Sequence, residues 1–247
     1  MLTVQRETRD AILYAAPFVA WIALQMALPA TAVGYAVRTG VTAAIGLACL
    51  KVLKVFNVPN DLNHLKTPND IKTLNDLNHL KGLNHLKGLC VGLIGGLVVC
   101  ALWVAPEYST WYRTWMELPI GELPPASGPS PYEPSVCGWP LTIVKLIGSA
   151  FVIAPVEEVF FRSFLYRRLQ ARDFRAVPLS RFDLSSFLWM VFLFTLEHDR
   201  PVVAALAGAA YGLLAIRFGL GSAIGAHVVT NLALGLHVIC RGEWWFW

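Results

Sequence analysis

The stretch Glu157-Glu158-Val159-Phe160-Phe161-Arg162 sets two adjacent carboxylates and a guanidinium inside the long apolar run 140–166. A run of that length reads as a membrane span, so these charges sit where water is scarce. A carboxylate in hydrocarbon costs roughly 2 to 4 kcal/mol even on mild insertion scales, and charges kept at that cost generally serve a function. Two further motifs place polar groups in apolar surroundings: Phe194-Thr195-Leu196-Glu197-His198 and His227-Val228-Val229-Thr230-Asn231.

Composition points the same way. Of 247 residues, 56% are hydrophobic and 15% charged, too apolar for an ordinary soluble domain of this length. Apolar stretches near the ~20 residues that cross a bilayer recur along the chain. They predict an all-α polytopic transmembrane bundle of about seven to eight spans, at 11–29, 33–53, 89–105, 140–166 (bent at Pro155), 183–198, 201–217 and 220–240. Four stretches follow from this: an N-terminal membrane hairpin at 1–56, a low-complexity cytoplasmic insert at 57–88, a third span with a Pro-rich external loop at 89–139, and a core at 140–240.

The short-loop rule for positive charge puts the N-terminus in the cytoplasm. Arg6 and Arg9, the lysines between 51 and 87, the arginines between 167 and 181, and Arg217 all fall on one side of a seven-span scheme. Loop 106–139 opposes them with Glu107, Glu117, Glu122 and Glu133 against Arg113. The expected setting is a bacterial inner membrane, with lipid as one partner and a protein or peptide substrate as the other. The net charge of +4 is spread over loops with no basic, aromatic-studded face, which argues against nucleic acid. Oligomeric state has no sequence signal.

In the insert, Leu-Asn-His-Leu-Lys recurs at 62–66, 77–81 and 83–87, and an apolar residue recurs every third position from 71 to 89. This reads as an amphipathic helix on the inner surface. The spacing of His64, His79 and His85 does not put all three on one helix face, so they make a poor metal site. Cys49, Cys90, Cys100, Cys137 and Cys240 show no CxxC spacing and carry no redox or metal role in this reading. Cys137 and Cys240 share the outer side, where pairing is an open alternative. The tail Glu243-Trp244-Trp245-Phe246-Trp247 reads as an interfacial anchor.

On a helix, Glu158 and Arg162 are four apart and share a face, so they are expected to pair. Glu157 points about 100° away and escapes that neutralisation, which makes it the candidate base. His198 ends its span beside Asp199-Arg200-Pro201 and can orient a water. His227 and Asn231 project together and can donate hydrogen bonds to an oxyanion. His237 reads as a packing residue, and Glu197 is expected to point away from the site. Base, water-orienting group and oxyanion clamp form the minimum set for amide hydrolysis.

The three motifs, in this order and in apolar helices, resemble the signatures of the CPBP (Abi) intramembrane proteases, which include the Rce1-type CAAX prenyl endopeptidases. The resemblance covers about 140–235 and includes Pro155 and Phe164-Leu165-Tyr166-Arg167-Arg168-Leu169. It implies an endopeptidase with Glu157 as activating base, His198 as its partner, and His227 and Asn231 as the oxyanion pair. Glu158 and Arg162 fill the supporting positions. Ser163 stands where many relatives have glycine. The order of spans is also similar to bacterial CAAX-protease-related proteins of exosortase systems. Relatives are often labelled metalloproteases, and zinc on Glu157, His198 and His227 is the alternative. Without HExxH, and with ligands on separate helices, no metal is favoured. The rival functions are a non-enzymatic immunity or scaffold protein with the same buried polar network, and a proton-coupled transporter, for which no inverted repeat is visible.

Overall fold

A computed structural model describes the backbone of residues 2–53, 68–120 and 130–247, and the side chains of these except 2–3, 53, 68–85 and 116–120. Helices account for nearly all of it, and no strand occurs among the described residues. In chain order they are α1 (Leu2–Ala27), α2 (Ala32–Leu53), α3 (Pro68–Val104), α4 (Thr110–Ile120), α5 (Pro134–Cys137), α6 (Trp139–Gln170), α7 (Leu184–Thr195), α8 (Pro201–Phe218) and α9 (Leu220–Arg241). Short 3₁₀ turns follow at Ala105–Tyr108, Phe174–Ala176 and Trp244–Phe246.

Among the described residues, six helices are long and apolar enough to cross a membrane: α1, α2, the Leu86–Tyr108 part of α3 and its turn, α6, α8 and α9. The chain is an integral membrane protein. The expected span at 183–198 is corrected, because α7 stops at Thr195 after 12 residues. That is ~18 Å of helix against ~30 Å of hydrocarbon. Residues 57–67 of the 57–88 insert lie outside the described residues, as do the side chains of 68–85, so the side chains of His64, His79 and His85 are not described. From Pro68 the backbone runs on as one helix into the third span.

α6 is not broken into two half-helices at Pro155. It is one helical run with two wide π turns, Ser149–Ile153 and Val159–Leu165. Proline has no N–H and its ring crowds the carbonyl four residues back, which the upstream wide turn relieves. There the Ala154 N–H bonds five residues back to the Ser149 carbonyl.

α3 and α9 pack along a stripe of small residues. A Cβ on Gly88 would lie 2.6 Å from the Ser222 hydroxyl, and one on Gly92 would lie 2.6 Å from the Ser222 carbonyl. One on Gly96 would collide with the Ala226 carbonyl, and the Thr230 hydroxyl lies 2.9 Å from the Gly96 carbonyl. Helices without a hydrophobic drive between them associate by this kind of close approach. Gly92→Ile is therefore expected to lower stability by ~1–3 kcal/mol. The check is the melting temperature in detergent, and an unchanged value would refute the stripe's role.

Gly219, at φ 93°, joins α8 to α9 in a backbone conformation that favours glycine. Asp183 caps α7, accepting from the Ser186 N–H at 2.8 Å. Hydrogen bonds from the Ser186 hydroxyl and backbone hold the Asp183 carboxyl below the usual carboxylate range. At the same end of the molecule, Arg175 reaches buried Asp10 at 2.7 Å and ties α1 to the segment after α6.

Candidate active site

The centre of the bundle holds a cavity of about 710 Å³ whose wall includes Glu157, His198, His227 and Asn231. Three segments deliver them: α6 the glutamate, the turn after α7 the first histidine, and α9 the second histidine and the asparagine.

The expected Glu158–Arg162 pair is present, with Arg162 Nη1 3.1 Å from Glu158 Oε1 and both side chains almost wholly buried. Arg162 Nη2 donates to the Gly208 carbonyl at 3.2 Å. The guanidinium lies 4.4 Å from the centre of the Phe194 ring. The first residue of the second motif is thus a plate for the arginine of the first, a cation–π contact that favours burying the charge.

Glu157 turns away from that pair into the cavity and is 7% exposed. His227 lies between the two glutamates. Its Nδ1 is 2.9 Å from Glu158 Oε1, and its Nε2 is 3.7 Å from Glu157 Oε2. The first distance is a hydrogen bond. The second is longer than one, and both atoms face the cavity, where one water beside them can bond to each. Sequence spacing had paired His227 with Asn231 and not with the glutamates.

The Tyr211 ring stacks on His227 at 4.6 Å and 19°, and its hydroxyl donates to Thr230 Oγ1 at 2.7 Å. Thr230 Oγ1 is in turn within reach of the Gly96 and Ala226 carbonyls, so the imidazole rests on an anchored plate. Tyr211 and Thr230 went unnoticed in the sequence. Thr230 lies between His227 and Asn231 in the third motif, but its tyrosine partner comes from α8.

His198 follows the end of α7, its N–H bonded to the Thr195 carbonyl at 3.1 Å. Its Nδ1 is 2.8 Å from the Phe194 carbonyl. A carbonyl only accepts, so Nδ1 carries hydrogen and Nε2 is left as the acceptor of a neutral ring. The Trp103 and Phe194 rings flank it, with centroids at 5.6 and 4.5 Å. Asn231 Nδ2 donates to the Ser149 carbonyl at 2.9 Å, the carbonyl at the head of the first wide turn. One amide hydrogen of Asn231 remains for a ligand.

The expectation for Glu197 is corrected. Glu197 lines the cavity beside His198, and its Oε1 is buried without a partner among the described residues. The turn after Thr195 breaks helical spacing and brings neighbouring side chains to the same wall. The aromatic tail packs back onto the bundle. Phe246 is buried, and Phe246 and Trp247 line the cavity. Arg200 bonds Glu107 at 3.2 Å and packs 5.3 Å from the Phe246 ring centre, which holds the tail in place. His237 contacts Glu243 at 2.7 Å and Tyr108 at 3.0 Å, outside the site. Cys137 and Cys240 are both free.

Among the described residues no three His, Cys, Asp or Glu side chains form a group able to hold a metal ion. Nε2 of His198 keeps its lone pair with Nδ1 tied to a backbone carbonyl, and Nε2 of His227 faces the Glu157 carboxylate.

No curated protein and no solved structure matches the chain. A family model does: type II CAAX prenyl endopeptidase Rce1-like matches residues 139–233, from the first residue of α6 into α9, a segment that holds Glu157, Glu158, Arg162, His198, His227 and Asn231.

Proposed function

We propose that the protein is an intramembrane endopeptidase that hydrolyses a peptide bond of a membrane-associated protein or peptide, using a water activated by Glu157. The observation that carries this reading is the cavity itself. A carboxylate outside the buried ion pair faces an imidazole at 3.7 Å on the wall of a cavity, inside membrane-spanning helices. The Rce1-like segment adds the expectation of a CAAX-type substrate.

In this mechanism Glu157 takes a proton from water while Nε2 of His198 accepts the water's other hydrogen bond. The hydroxide adds to the scissile carbonyl. With a proton on each nitrogen, His227 donates Nδ1–H to Glu158 and Nε2–H to the oxyanion, and the second amide hydrogen of Asn231 donates beside it. The C–N bond then breaks, and Glu157 passes its proton to the leaving amine. Glu158 and Arg162 touch no substrate; they hold the His227 ring. No step runs through a metal.

A single turnover in ¹⁸O-labelled water tests the chemistry. One heavy oxygen is expected in the new peptide carboxylate and none in Glu157. Heavy oxygen in Glu157 would mean that the carboxylate attacks the peptide directly, against this reading.

We also place the mouth of the cavity outside the cytoplasm. Gln25 and Met26 at the end of α1, Tyr35 near the start of α2, Trp103 near the end of α3, and the tail line it. The basic residues Arg6, Arg9, Arg172, Arg175, Arg181 and Arg217 lie at the other helix ends. With native cysteines replaced, a cysteine at exposed Ser135 is expected to react with an impermeant maleimide in intact cells, and one at exposed Arg172 only after lysis. The reverse pattern would turn the mouth to the cytoplasm.

A further inference from the structure

Near its mouth the cavity carries positive charge that nothing in the catalytic set uses. Lys145 lines the wall on α6, its Nζ 4.4 Å from the centre of the Tyr35 ring and 4.7 Å from that of Tyr132. Behind it lies Arg38 of α2, 7% exposed, its guanidinium 4.8 Å from the Trp21 ring centre and 5.2 Å from that of Tyr35. Arg38 makes one side-chain hydrogen bond, from Nη2 to the Tyr132 hydroxyl at 3.5 Å, and its Nε is buried without a partner.

Neither cation has a carboxylate within salt-bridge distance among the described residues. Every other deeply buried arginine described here has one: Arg162 has Glu158, and Arg200 has Glu107. Aromatic faces offset part of the burial cost of a cation, but a buried charge in a span without its counter-charge remains expensive. The missing partner is an anion.

We propose that Lys145, backed by Arg38, forms a subsite that binds the carboxylate of the peptide substrate beyond the scissile bond. The inference rests on the endopeptidase reading and names a feature of its substrate. Lys145 and Glu157 are twelve positions apart on one helical run and interact electrostatically across the cavity. The axial separation is at most ~18 Å. An extended chain advances ~3.3–3.6 Å per residue, so a carboxylate up to about 5 residues past the scissile bond reaches Lys145. A terminal carboxylate offers two oxygens to the ammonium, whereas a carboxamide offers one neutral acceptor.

The test uses the full chain carrying Glu157→Gln, in discs of neutral phosphatidylcholine. Binding is read by fluorescence polarisation with one S-farnesylated hexapeptide, as free acid and as C-terminal amide. The acid is expected to bind about tenfold more tightly, the scale of one charge-assisted hydrogen bond. Lys145→Met should bring the ratio to about 1, and Lys145→Arg should keep it. Equal affinities in the parent, a ratio that survives Lys145→Met, or no binding of either peptide overturns the proposal. So does loss of the preference when phosphatidylglycerol is added, which assigns the site to a lipid phosphate. Cleavage of both peptides by the unmutated chain with equal affinities would remove the subsite and leave the protease. An acid preference without any cleavage would remove the protease and leave the subsite.

Discussion

Glu157→Gln is expected to reduce peptide hydrolysis by the purified protein by about 10³-fold or more while leaving its melting temperature close to the original. The substitution keeps the shape of the side chain and removes its ability to take a proton from water. Little in the scaffold depends on Glu157, because the ion pair that joins α6 to its neighbours uses Glu158. Its contact with His227 Nε2 on α9 is 3.7 Å long, beyond hydrogen-bond distance. Glu158→Gln should behave differently, since that residue bonds both Arg162 and His227. Its loss should reduce stability and activity together. Equal activity of Glu157→Gln and the parent would remove Glu157 from the chemistry.

Arg162→Met carries the second large expectation, and it concerns folding. It would leave Glu158 fully buried, with His227 as its remaining polar contact among the described residues. Breaking a buried pair from one side costs about 3–5 kcal/mol, which for a chain of this size lowers melting by about 10 °C. Arg162→Lys retains the charge but loses the fork that spans Glu158 and the Gly208 carbonyl, so its effect should be smaller. Adding Glu158→Gln to Arg162→Met should recover part of the loss, because it removes the stranded charge. Thermal unfolding in detergent distinguishes these cases. An Arg162→Met protein that melts like the parent would mean that the pair does not hold the core.

The polar core was legible because its spacing is local. The four-position step from Glu158 to Arg162 fixes one face of a helix, and the wide turn at Val159–Leu165 still brings the two together. The apolar runs gave the helical spans for the same reason. What escaped depended on partners from elsewhere in the chain. Tyr211 is an unremarkable residue of α8 until it stacks on His227 of α9. Gly88, Gly92 and Gly96 repeat every fourth residue, but only α9 against them shows why no side chain fits. Hydropathy over 183–198 continued past the point where α7 ends, so it hid both the short helix and the turn that carries Glu197 and His198 to the cavity. The tail showed its aromatic character in sequence, but its fold-back depends on Arg200 and Glu107.

The most direct test of Glu157-dependent proteolysis compares peptide termini in membranes, by mass spectrometry, from cells making this chain and cells making equal amounts of a stably folded Glu157→Gln version. A set of new termini present with the original chain and absent with Glu157→Gln is the predicted result, and it would identify the substrate. Identical termini from the two would contradict the account and leave the buried network as a scaffold.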